Sequence, residues 1–180
     1  MAVKKSGHTP LEHPALDHMA ATPDMVRALL TGVSAEQTLW KPTPDRFSIA
    51  ELLEHLSHIE GHYFRARFDE ILAADNPTFE PYDQNAFYAA GTYSNRDPEE
   101  SLAHWEEQRE DNLEFLRGLD SNVLQRKGEH TKMGSFFLIH ILNEWALHDL
   151  GHIRQLAELV RAQLYYPNVG PFQPDYLLKP

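Results

Sequence analysis

The chain has 180 residues, 42% of them apolar and 24% charged, a composition that suits one globular domain with a sizeable core. A formal charge of −11 argues against a nucleic-acid partner, which needs clustered lysine and arginine, and no window holds the roughly 18 consecutive apolar residues of a membrane span. There is no cysteine, which excludes disulfides and a thiolate nucleophile of the chain's own and fits a cytoplasmic protein.

Residues 1–8 are basic with no apolar core behind them, so they are not a signal peptide. Residues 1–21 read as irregular, with Pro10 and Pro14 breaking any early helix and Leu11, Leu16 and Met19 free to dock on a core. Thr22-Pro23-Asp24 reads as a helix start, and Met25, Val26, Leu29 and Leu30 carry that helix towards Gly32. Ser34 to Gln37 is a capping box for one short turn, after which Pro42 and Pro44 impose a loop. Ser48-Ile49-Ala50-Glu51 is a second box and opens a long helix over about 48–73. Its stripe is Ile49, Leu52, Leu53, Leu56, Ile59 and Tyr63.

Residues 75–97 contain Pro77, Pro81, Gly91 and several aromatics without a period. They read as a long crossover loop holding at most a turn of helix, and as a candidate lid. Asp97-Pro98-Glu99-Glu100 caps a helix over about 98–117, with Leu102, Trp105, Leu113 and Leu116 inward. Ser135 is predicted to begin the last helix, about 135–163. Residues 165–180 carry four prolines and read as an irregular tail whose Tyr165, Tyr166, Phe172 and Tyr176 pack over one end of the molecule. The pattern predicts an all-α four-helix bundle in a single domain over 1–180, with its core at about 20–163.

The 11 histidines divide by helical face. On the last helix His152 falls just inside the apolar sector, His148 at its edge, and Gln155 further out on the same flank; His140 points to the polar side. His148 and His152, at i and i+4, are close enough to share a divalent ion or to serve as hydrogen-bonded boundary residues. Asp149 projects into the centre of the apolar sector and therefore needs a partner. That partner is either a ligand imidazole or a structural donor across the bundle. On the 48–73 helix, His58 lies opposite the apolar stripe and is expected in solvent. His55 and His62 lie on its flank, about 10.5 Å apart along the axis, so they cannot both join one ion. Spacing alone does not choose between them.

Two segments resemble the DinB/YfiT-like superfamily of four-helix bundles. One is Phe47-Ser48-Ile49-Ala50-Glu51-Leu52-Leu53-Glu54-His55-Leu56, similar to the family's aromatic-Ser-x-x-Glu-x-x-x-His-Leu helix opening. The other is Met133-Gly134-Ser135 followed by His148-Asp149-x-x-His152-Ile153-x-Gln155, similar to its His-Asp-x-x-His-x-x-Gln signature. Phe47 stands where Trp is common, and Ser135 where Thr is frequent. The resemblance implies a three-histidine site of His55, His148 and His152 holding zinc or nickel, with an open coordination position.

Three functions follow as expectations from the resemblance. The first is an S-transferase using a low-molecular-weight external thiol, such as bacillithiol or mycothiol, on a small-molecule electrophile. The second is a metal-dependent hydrolase, with Glu144 as a candidate base. The third is a non-enzymatic metal-binding stress-response protein. Members are often dimeric, which leaves a homodimer as an open expectation.

Overall fold

The computed structural model describes residues 9–178, so the basic stretch 1–8 and residues 179–180 lie outside it. Helix α1 is Pro14–Leu30, beginning eight residues before the predicted Thr22. Pro14 opens this helix rather than breaking it. At the first helical position its missing N–H is no loss, and His13 caps the turn by accepting from the Ala15 amide at 3.2 Å. Pro23 instead falls inside the helix, where it leaves the Met19 carbonyl without its intrahelical donor. Arg109 Nη1 takes that place at 2.9 Å.

The short helix α2, Ala35–Thr38, forms behind its complete capping box of Ser34 and Gln37. Helix α3, Ile49–Ile59, opens on the Ser48–Glu51 box, whose two bonds measure 3.1 and 3.0 Å. The helix then widens into a π turn over Glu60–Arg65 and resumes as α4, Ala66–Ala73. The predicted helix 48–73 is thus present but not uniform. Beyond Leu56 the buried residues include Glu60, Phe64 and Phe68, at four-residue steps, with Phe64 and not Tyr63 inward. A constant 100° wheel selects Tyr63 instead of Phe64, because it cannot anticipate the wider turn.

Residues 75–97 are more ordered than predicted, with strand β1 at Thr78–Phe79 and helix α5 at Gln84–Ala89. Helix α6, Pro98–Gly118, matches expectation. Helix α7 is Leu138–Val160, because Ser135 belongs to strand β3, Gly134–Phe137, and not to the helix. Strand β2, Lys127–His130, pairs antiparallel with β3 and parallel with β1. Strands of two to four residues are too short to show alternation, which is why the sequence pattern reads as purely helical.

The four long helices form a ring in which α1 packs on α7 and α6, and α3 packs on α6 and α7. Their apolar side chains separate into two clusters. One holds Met19, Phe64, Phe68, Leu116, Leu142 and Trp145; the other holds Val26, Leu52, Leu56, Leu102, Trp105 and Leu159. On α1, α6 and α7 the change of cluster falls at a polar residue, Thr22, Arg109 and Asp149, and on α3 it falls between Leu56 and Ile59, just before Glu60; all four polar residues are buried. The core is therefore two apolar halves with a polar layer between them.

The tail corrects a prediction. After a π turn at Arg161–Tyr165 it runs through short 3₁₀ turns, and Tyr165, Phe172 and Tyr176 are 63, 63 and 53% exposed. Leu29, Leu30, Val33 and Leu164 pack against the apolar cluster there, and of the four tail aromatics only Tyr166 is half-buried. Among the described residues, no helix is long and apolar enough to cross a membrane.

Candidate metal centre

The polar layer contains two assemblies. In the first, Arg109 lies between two carboxylates. Its Nε and Nη2 donate to Glu60 at 2.8 and 2.7 Å, and its Nη1 and Nη2 donate to Asp149 at 2.6 and 3.2 Å. Trp105 and Trp145 each donate an indole N–H to Glu60 Oε2 at 3.2 Å, and Asn112 donates to Oε1 at 3.1 Å. Burial works against the guanidinium charge, but Asp149 and Glu60 outweigh it and hold the pKa above its ordinary value. This answers the question posed by Asp149: its partner is Arg109, across the bundle, and not a ligand imidazole.

The second assembly is on the α3–α7 side. His55, two turns inside α3, is fully buried, while His148 and His152 on α7 are partly exposed. The His148 Nε2 lies 3.2 Å from His55 Nε2 and 3.1 Å from His152 Nε2. His62 is exposed and stacks on His58 with ring centroids 4.2 Å apart, away from this cluster. His58 is not in solvent as the wheel predicts. The 75–97 segment folds over it, with Phe87 at 4.8 Å between centroids and the Tyr82 hydroxyl 3.3 Å from Nδ1. His140 stays outside the cluster and accepts from the Phe137 amide at 3.3 Å, at the start of α7.

Aromatic rings hold the cluster from behind. Phe47 and Tyr93 lie 5.4 and 5.2 Å from the His55 ring, and Phe64 meets His148 edge-on at 5.3 Å. On the third imidazole, Nδ1 contacts Gln155 Oε1 at 3.0 Å. An amide oxygen only accepts, so the proton of neutral His152 sits on Nδ1 and its Nε2 lone pair faces the other two rings. This contact gives Gln155 of the signature its structural role.

The donor set fits a cation. Burial first, then the neighbouring imidazoles, bring His55 down to about 3 and His148 to about 2, and burial lowers His152 as well. All three rings are therefore neutral at pH 7, the form that binds metals. Two nitrogens each about 2.1 Å from one ion stand about 3.0–3.4 Å apart at angles between octahedral and tetrahedral. The observed spacings of 3.1 and 3.2 Å fall in that range. Among the described residues, the three histidines are the one group of potential ligand atoms able to hold a metal ion.

A cavity of about 720 Å³ opens beside His148 and His152, walled by Phe47, Tyr88 of α5 and the Gly151 face of α7. Tyr88 donates to the Pro44 and Arg46 carbonyls at 3.2 Å, tying α5 to the loop before α3. The 75–97 segment thus contributes one wall of the cavity. Glu144 does not line it; its carboxylate accepts from the Tyr63 hydroxyl at 3.1 and 3.2 Å.

Arg109, Glu60 and Tyr88 are absent from the residues singled out by sequence. Arg109 had a readable signal, because it lies on the same stripe as Leu102, Trp105, Leu113 and Leu116. Tyr88 had none, since no periodicity leads from α5 to α7.

An all-α bundle whose facing helices bring three neutral imidazoles together defines a class, and the comparisons agree with it. The family model described as the DinB superfamily matches residues 18–156, so the chain belongs to that superfamily. Among solved structures, YfiT from Bacillus subtilis is similar at a TM-score of 0.73 with 20% identity, covering 88% of this chain and 94% of that one. YfiT is described as a probable metal-dependent hydrolase with an unusual four-helix bundle topology. At that identity the likeness carries the fold. No curated protein matches the chain.

Proposed function

We propose that His55, His148 and His152 bind one divalent ion, zinc or nickel, and that the protein uses it to transfer a small external thiol to an electrophile. The observation that carries this reading is the convergence of three neutral imidazole nitrogens beside an open cavity. A divalent ion bound there supplies positive charge that lowers the pKa of an adjacent thiol or water.

The chain's own residues do the rest. Phe47, Tyr93 and Phe64 fix two of the rings and keep water from their backs. Gln155 holds the His152 proton on Nδ1. Phe47, Tyr88 and α7 form the walls within which two small reactants meet.

The choice of nucleophile rests on the missing base. Glu144 is held by Tyr63 away from the cavity, and of the two carboxylates that line it Glu158 is paired with Arg161 and Asp45 accepts from Thr43 Oγ1. A thiol with an ordinary pKa of about 8.5 needs little help to lose its proton at neutral pH. Water, with a pKa of about 15.7, needs far more and is commonly served by a positioned base. The chain has no cysteine, so the thiol comes from outside. In the transfer the sulfur forms a bond to the electrophilic carbon, the leaving group departs with its bonding pair, and the thiol proton passes to solvent.

Metal analysis of purified wild type and His148→Ala is the first test, with a stoichiometric ion expected in the former and lost in the latter. Equal metal content would end the site reading. Adding small thiols and a chromogenic electrophile to metal-loaded protein then tests transfer. A cobalt-substituted form whose spectrum no thiol changes would rule it out. Hydrolysis is the second reading, favoured by the description of YfiT; ester or amide cleavage abolished by a chelator would select it.

A further inference from the structure

Each ring of the cluster turns its Nε2 towards the other two, and the rings differ in what their outer Nδ1 meets. The Nδ1 atoms of His55 and His148 are buried and have no hydrogen-bond partner among the described residues. Aromatic rings stand there instead, Phe47 and Tyr93 beside His55 and Phe64 beside His148. His152 Nδ1 meets Gln155, whose amide is neutral. A metal-binding histidine usually donates its outer N–H to a carboxylate, a carbonyl or water, and a carboxylate in that place lends the ion negative charge. Among the described residues none of the three rings has one.

The carboxylates nearest in sequence are turned elsewhere. Asp149 follows His148 directly, but both its oxygens accept from Arg109. Of that polar layer it is the guanidinium whose charge acts on the His148 ring, and it opposes a positive charge there. Glu144, one turn before His148, accepts from Tyr63. Glu54, next to His55, accepts from Ser101 Oγ at 2.7 Å and pairs with Arg96. In the cavity Asp45 and Glu158 stand against Arg46 and Arg154, so the lining adds no net charge. The chain therefore brings no compensating negative charge to an ion at the imidazoles.

We propose that the metal-loaded centre takes a small monoanion from the cavity as its exogenous ligand, and that Gln155, by being neutral, keeps it selective for one. The proposal rests on the metal-binding part of the reading above and not on the choice of nucleophile; a thiolate is one such anion. Gln155 acts through His152 and is a positioning residue. Its amide oxygen fixes the imidazole tautomer as a carboxylate would, but without the charge. It is also the outer position where a carboxylate fits with no change of backbone, because glutamate has the shape of glutamine. At His55 and His148 the aromatic rings occupy that place.

The test titrates the cobalt-loaded full chain with sodium azide and, as a neutral ligand, with imidazole, following the cobalt spectrum and the heat of binding. Azide should bind wild type with a saturable spectral change. Gln155→Glu should hold cobalt about tenfold more tightly and azide about tenfold more weakly, with imidazole affected far less, because only the anion is repelled by the added charge. Gln155→Ala removes the acceptor without adding charge. It should loosen cobalt by about tenfold and leave the ratio of azide to imidazole affinity as in wild type. A wild type that holds cobalt but not azide, or a Gln155→Glu variant with wild-type azide affinity, overturns the proposal and leaves the metal centre and thiol transfer standing. If wild type holds no cobalt, both fail together.

Discussion

Arg109 concentrates the risk of the buried core. One guanidinium neutralises Glu60 and Asp149 and also satisfies the carbonyl freed by Pro23. Removing it leaves Asp149 and Glu60 buried without a countercharge, Glu60 keeping only the neutral donors Trp105, Trp145 and Asn112. Arg109→Met should therefore destabilise the protein by about 3–5 kcal/mol, read as a shift in the denaturant midpoint. Replacing Glu60, Arg109 and Asp149 together by apolar residues of similar volume should recover much of that loss, since the desolvation cost goes with the charges. A loss below about 1 kcal/mol for Arg109→Met would mean that water reaches the carboxylates. Part of this layer is legible in the sequence, because Asp149 in an apolar sector demands a partner. The identity of the partner is not, because the α6 stripe shows only that Arg109 faces inward, and only the packing of α6 against α1 and α3 sets it across the bundle from Asp149 of α7.

At the level of elements, the small sheet is the least legible part, and it is tightly constrained. Gly128 on β2 has no room for a side chain: a Cβ would stand 2.7 Å from the Phe79 ring of β1 and 3.0 Å from that of Phe136 on β3. Gly128→Ala should cost about 1–3 kcal/mol by forcing those rings apart. Thermal unfolding by circular dichroism would measure it, and an unchanged melting temperature would show that both rings move freely. The long helices behave differently. Their caps are local, so Ser48–Glu51 and Asp97–Pro98 can be read directly from the chain. The start of α1 is missed because His13, an unusual cap, substitutes for the more familiar Thr22.

For the molecule as a whole, metal and pH act on the same three imidazoles. In metal-free protein His55 and His148 titrate at about 3 and 2, whereas in the unfolded chain they return to about 6.5. As pH falls through about 6.5 the unfolded state takes up protons that the folded state refuses. Stability present above that pH should thus be lost on acidification, by on the order of 1 kcal/mol per pH unit for each histidine. Urea midpoints of metal-free protein between pH 7 and 5 would show it; a flat profile would mean that the rings charge in place. Metal acts oppositely, since an ion held only by the folded state stabilises it by about 3 kcal/mol at a hundred times its dissociation constant. A chelator should lower the melting temperature of wild type and leave that of His148→Ala unchanged.

The chain by itself determined the helical bundle, most helix boundaries and the pairing of His148 with His152, because caps, periodicity and i, i+4 spacing are properties of short segments. It also narrowed the third histidine to His55 or His62, a choice that the resemblance made in favour of His55. Only the tertiary structure decided that His55 meets the α7 pair, that Arg109 answers Asp149, and that α5 walls the cavity. Each of these depends on which helices are neighbours in the ring, and that order is set by long-range packing of two apolar clusters around a polar layer, not by any local pattern.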